Sequence, residues 1–148
     1  MSLKGDLLRR GLMVNYAEIM TRVPSGRKQA APVAMTVAAT ITPAAILNGL
    51  ITATHSEGGT EAYTLPTGTV MDAALTSDII INDSFDFTII NLSVADGDSI
   101  TLTAAAGFTI VGSAVVNSNE FEVSYYLGTG TFRCRKTAAN TFVAYRIA

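Results

Sequence analysis

The chain has 148 residues, a formal charge of −2, 49% hydrophobic side chains and only 15% charged ones. That length suits one domain burying roughly two-thirds of its unfolded surface. No stretch reaches the ~20 unbroken apolar residues of a membrane-spanning helix, and the composition excludes disorder and collagen. Thr, Ile and Val account for 19, 12 and 11 residues. These β-branched side chains suit a pleated surface better than a helix.

Residues 1–34 read as an extended or partly helical N-terminal arm with its linker, ahead of a body at 35–148. Residues 1–30 hold six basic and two acidic side chains, a charge of +4; residues 31–148 carry −6. Leu3, Leu7, Leu8, Leu12, Tyr16, Ile19 and Met20 recur near the 3.6-residue period of one helical face. Gly5 and Gly11 weaken such a helix by ~1 kcal/mol each. Arg9, Arg10 and Glu18 interrupt any signal-peptide core. Pro24, Gly26 and Pro32 mark the linker. The partner-binding set expected here is Leu3, Leu7, Leu8 and Leu12 for apolar contact, with Arg9, Arg10, Arg22, Arg27 and Lys28 for acidic patches.

The body alternates short β-like runs with turns. Met35 to Thr42 reads as a strand, Pro43 to Gly49 as one helical turn closed by glycine, and Leu50 to His55 as a strand. Ala62 to Leu65 precedes a turn at Pro66-Thr-Gly68, and Val70 to Leu75 suggests a second short helix. Ile79-Ile80-Ile81 is a brief apolar run before the turn Asn82-Asp83-Ser84. From Ser84 to Leu92, Phe85, Phe87 and Ile89 share one face. Asp96-Gly97 is a hairpin signal. Runs at Ile100–Thr103, Gly107–Val111 and Ala114–Val116 follow, then Phe121–Leu127. Phe132 and Cys134 alternate with Arg133 and Arg135. After the turn Ala138-Ala-Asn140, Val143, Tyr145 and Ile147 alternate with Phe142, Ala144 and Arg146. Strands every 8–12 residues predict an all-β, antiparallel β-sandwich, with a jelly roll as the leading architecture.

Reactive groups are scarce. His55 is the only imidazole and Cys134 the only thiol, so neither an internal disulfide nor a familiar structural zinc site is available. His55 reads as a surface or turn residue and Cys134 as a small buried hydrophobe. Asp78, Asp83, Asp86, Asp96 and Asp98 sit in turn-like settings without an EF-hand pattern. Gly107 to Gly112 lacks the Lys-Ser/Thr of a phosphate loop. Arg133, Arg135, Lys136 and Arg146 form the body's only basic group, fitting a solvated face or an acidic protein partner. The acidic field opposes direct nucleic-acid binding. No catalytic residue, metal or cofactor is expected.

Several segments carry a resemblance: Tyr63-Thr-Leu-Pro-Thr-Gly68, Asp72-Ala-Ala-Leu75, Asn82 to Leu92, Gly107-Phe-Thr-Ile-Val-Gly112, and Gly130 to Ile147. Across residues 36–147 the chain resembles the β-sandwich capsid decoration, or cement, proteins of tailed bacteriophages. The resemblance implies a virion structural protein on the capsid exterior, often trimeric, that clamps major capsid subunits without catalysis and without a membrane. Apolar, Thr-rich strand faces independently suggest self-association, taken as a homotrimer. The alternative is a tail-fibre or receptor-binding module in which Tyr63, Tyr125 and Tyr126 stack on glycans.

Overall fold

The computed structural model describes residues 29–55, 59–94, 97–118 and 128–148. Among them are nine strands and two short helices. The strands are β1 (Val33–Met35), β2 (Leu50–Ala53), β3 (Thr60–Thr64), β4 (Ser84–Asn91), β5 (Ser99–Thr103), β6 (Phe108–Val111), β7 (Val115–Asn117), β8 (Thr129–Ala138) and β9 (Thr141–Arg146). The helices are α1 (Pro43–Asn48) and α2 (Gly68–Ala74). A six-stranded sheet has the order β1-β2-β4-β8-β9-β6; a three-stranded sheet has the order β3-β5-β7.

The expectation of antiparallel pairing throughout is corrected. β1 with β2, β2 with β4, β3 with β5, and β6 with β9 are parallel. Among the described strands only β4 with β8, β5 with β7, and β8 with β9 are antiparallel. The cause is the route of the chain. From β2 to β5 successive strands alternate between the two sheets, so β4 returns beside β2, and β5 beside β3, in the same direction. β4 and β5 lie in different sheets and so form no hairpin with each other; Asp96 of the expected Asp96-Gly97 turn lies outside the described residues.

Strand alternation explains the core. On β4, Phe87 and Ile89 are buried while Asp86 and Thr88 face outward; on β8, Phe132 and Cys134 are buried and Arg133 is exposed. On β9 the inward pair is Phe142 and Ala144. The rings meet across the ladders. Phe87 stacks on its register partner Phe132 at 5.4 Å between centroids, and Phe108 on Phe142 at 5.0 Å. Such pairs add ~0.5–1.5 kcal/mol beyond the area they bury.

Both helices begin as their sequences dictate. The Thr42 and Thr67 hydroxyls accept from Ala45 N–H at 3.2 Å and Val70 N–H at 3.3 Å, satisfying donors left free by the first turn. Pro43 opens α1, and Gly49, at φ 83°, closes it by donating to Ile46 O. The run expected from Met35 to Thr42 is shorter. β1 ends at Met35, and only a single parallel bridge, Thr40 to Thr64, follows before α1.

One junction holds these parts together. Gly68 N–H donates to Ala106 O at 2.8 Å. A Cβ on Gly68 would lie 1.9 Å from Asn140 O and 3.1 Å from Gly107 Cα. Gly107 adopts φ 86°, and Asn140 turns β8 into β9 at φ 55°, a region asparagine tolerates. Gly68→Ala should destabilise the fold by at least the ~1–3 kcal/mol usual for overpacking. The check is a urea titration, in which the midpoint falls at unchanged slope; an unshifted midpoint would contradict so close an approach.

Candidate functional site

The expected partner-binding residues Leu3, Leu7, Leu8, Arg9, Arg10, Leu12, Arg22, Arg27 and Lys28 lie outside the described residues, as do Tyr125 and Tyr126. The body can be built from its own side chains. Strand alternation places Arg133 and Arg135 on the outer face of the six-stranded sheet, opposite Asp86 and Ser84 of β4. Arg133 grips Asp86 with two bonds, Nε to Oδ1 and Nη2 to Oδ2, each 2.8 Å. Those bonds hold the Asp86 carboxyl below its ordinary value of 3.8. Arg135 donates to Asn82 Oδ1 at 3.1 Å. Its Nε is buried without a partner.

Lys136 ties three segments. Its ammonium lies 2.6 Å from Asp72 Oδ1 on α2 and donates to Ile79 O at 3.4 Å. Asp72 Oδ2 accepts from Asn140 N–H at 2.9 Å. The hydrogen bond from Lys136, then that from Asn140, hold the Asp72 carboxyl below 3.8. Arg146 donates to Val115 O on β7 at 3.0 Å and Thr129 O on β8 at 2.9 Å, with its guanidinium 5.2 Å from the Phe132 ring centre. Burial pulls the Arg146 value down. The four basic side chains expected to share a solvated face are thus each engaged within the chain.

A second polar cluster joins the sheets at another place. His55, just past β2, shares a 2.7 Å hydrogen bond between Nε2 and the Tyr63 hydroxyl of β3. Tyr63 is fully buried, so it cannot serve as the stacking surface considered from sequence. His55, expected at the surface or in a turn, is half-buried and bonded. Burial, then the charges of Glu61 and Asp98, push the Tyr63 phenol up to about 12. Asp98 is 2% exposed and its Oδ2 has no hydrogen-bond partner. Asn91 Nδ2 donates across the sheets to Val116 O at 3.3 Å, and Asn91 Oδ1 accepts from Ser93 N–H at 3.0 Å. Cys134 is buried, and burial ahead of the Asp86 charge pushes its thiol to about 12. Such a thiol is inert as a nucleophile at neutral pH. Among the described residues no three His, Cys, Asp or Glu side chains are grouped to hold a metal.

The surface offers contact instead. A groove of about 430 Å³ is lined by Ile79, Ile80, Ile81, Lys136 and Ala139. Ile80 is 65% exposed and Ile81 53%. Sequence reasoning noted this run but gave it no role. The usable signal was that three successive isoleucines cannot all face one core from an irregular segment. With this geometry in hand, comparisons with protein families, curated proteins and solved structures gave no match.

Removing the tyrosine hydroxyl tests the inter-sheet tie. Tyr63→Phe should cost ~1–2 kcal/mol, the scale of a lost bond to a partly buried partner, measured by urea unfolding. An unchanged stability would mean that water replaces the bond without loss.

Acid should loosen the other cluster. Because the Asp72 and Asp86 values are depressed in the fold, their stabilisation is complete above the ordinary value of 3.8 and is lost as pH falls through the lowered values. Melting temperatures recorded downward from pH ~5 should drop steepest below that point, and Asp72→Asn should flatten the drop.

Proposed function

We propose that this chain is a structural protein of a phage virion, a decoration protein that binds the capsid exterior and stabilises it by clamping major capsid subunits. The observation that carries the reading is how the body uses its side chains. Asp72, Asp86, Arg133, Lys136 and Arg146, the imidazole and the thiol are tied or buried within the fold, while aliphatic side chains at the Ile79–Ile81 groove stay exposed. Such a body is suited to contact. The diffuse likeness of residues 36–147 to cement proteins points the same way.

In this reading the basic amphipathic segment 1–34 supplies the reach. Leu3, Leu7, Leu8 and Leu12 pack against a capsid subunit, and Arg9, Arg10, Arg22, Arg27 and Lys28 meet acidic patches. Each buried leucine contributes ~1.5–3 kcal/mol, and repetition over many equivalent sites multiplies modest contacts. The partners are the major capsid protein and further copies of the chain, proposed as a homotrimer, with no direct role for nucleic acid or membrane. The finer architecture expected from strand spacing, a jelly roll, pairs its strands antiparallel. The mixed sheets depart from that pattern, and the proposal does not depend on it.

Deleting residues 1–30 should abolish binding to purified capsids while leaving the far-ultraviolet spectrum and melting of the body intact. Undiminished capsid binding by the truncated chain would defeat the arm mechanism. Localisation to fibre tips, with glycan-dependent cell binding, would favour the receptor-binding alternative.

A further inference from the structure

The sheet edges differ in how they are closed. β1 is three residues long and follows Pro32, so it turns only Ala34 outward. At the edge of the smaller sheet, β3 is covered by the segment before α1: Ile41 N–H donates to Thr64 O at 2.8 Å and Thr64 N–H to Ala39 O at 3.1 Å. At its other edge, the carbonyls of Val115 and Val116 on β7 are taken by Arg146 and Asn91. β6 is the exception. It ends the six-stranded sheet, and among the described residues no strand lies beyond it.

The free groups on β6 can be named. Phe142 N–H donates to Gly107 O at 2.8 Å. In a parallel ladder alternate residues face the partner, so Thr109 and Val111 also turn their backbone groups to β9. Phe108 and Ile110 turn theirs outward. The Phe108 N–H is satisfied locally by Ala105 O at 2.9 Å. What remains is Phe108 C=O and both backbone groups of Ile110. The usual guards of an edge strand are charge, proline and bulges. β6 has no charge and no proline, and no charged residue occurs anywhere from Ser99 to Asn119.

We infer that the β6 edge is an interface between two copies of this chain, pairing antiparallel with the same edge of a second copy about a two-fold axis through Ile110. The register follows from the free groups. With Ile110 opposite its own counterpart, each copy's Ile110 N–H donates to the other's Ile110 C=O, the closed pair of bonds of an antiparallel ladder. A two-fold axis normal to the sheet keeps the faces matched. Thr109 of one copy then lies opposite Val111 of the other, twice over, on the outer face where both are exposed. Neutrality favours this occupant. An uncharged edge offers a charged partner no attraction, whereas a second copy brings an identical neutral strand with self-complementary bonds. The contact stands independently of the capsid reading. It joins copies in pairs, so a trimer uses a different surface.

The test uses the full-length chain in sedimentation velocity. The unaltered protein should contain a pairwise contact that Thr109→Asp with Val111→Asp removes, because like charges then oppose each other in both symmetric pairs. Thr109→Lys with Val111→Lys should remove it likewise, and a mixture of the two double variants should restore it. That restoration excludes misfolding as the cause of the loss. Thr109→Cys with Val111→Cys should give a covalent dimer under oxidation, since the opposed positions meet the spacing a disulfide requires. An unaltered chain that stays monomeric at high concentration would overturn the inference. So would an assembly indifferent to both charge variants, or a mixture that fails to re-associate.

Discussion

Gly68, Gly107 and Asn140 bring three backbones so close together that a Cβ at either glycine would meet the Asn140 carbonyl. A helix start, the turn into β6 and the β8–β9 turn meet there, and neither glycine has room for a methyl group. The approach is what lets Asp72, one turn into α2, reach both the Asn140 N–H and the Lys136 ammonium. Lys136 in turn holds Ile79 O, which sets the course of the segment that forms the apolar groove. A feature of the protein surface is thus fixed by a steric fact two contacts away.

Three polar side-chain contacts in this body fasten one sheet to the other. His55 with Tyr63, Asn91 with Val116 O, and Arg146 with Val115 O each join an element of the six-stranded sheet to the three-stranded one. Each bond adds only ~0.5–1.5 kcal/mol net, but each also fixes how one sheet sits on the other, which apolar contact alone does not. The aromatic pairs supply cohesion, and the polar fasteners supply registry. Asp98 is the departure, a carboxylate oxygen enclosed without a donor.

Local features were legible in the sequence where a rule of short range governs them. The alternation of Phe85, Phe87 and Ile89, and of Phe132 and Cys134 against Arg133 and Arg135, comes from the two-residue strand period. Pro43 and Gly49 bracket α1 because each residue's own backbone preference suits its end. Pairing partners were not legible. Nothing local in Leu50–Ala53 says that it lies parallel to Thr88–Asn91 rather than in a hairpin. The bond between His55 and Tyr63 depends on the sheets' relative placement, so a histidine in a polar stretch reads as exposed. The alternating run Phe121–Leu127 and residues 1–28 fall outside the described residues.

The winding of the chain between sheets also governs how it must fold. Among the described strands only β8 and β9 are neighbours joined by a tight turn; Ser84–Ile90 of β4 waits for Thr129–Arg135 of β8, and Thr60–Thr64 of β3 for Ser99–Thr103 of β5. Long loops must close before those ladders repay the lost chain entropy. Acquisition of the native state is accordingly slow for a body of this size, as it is for other topologies dominated by distant pairings. During that interval the hairpin of β8 and β9, whose partners are close in sequence, can form ahead of the distant ladder to β4.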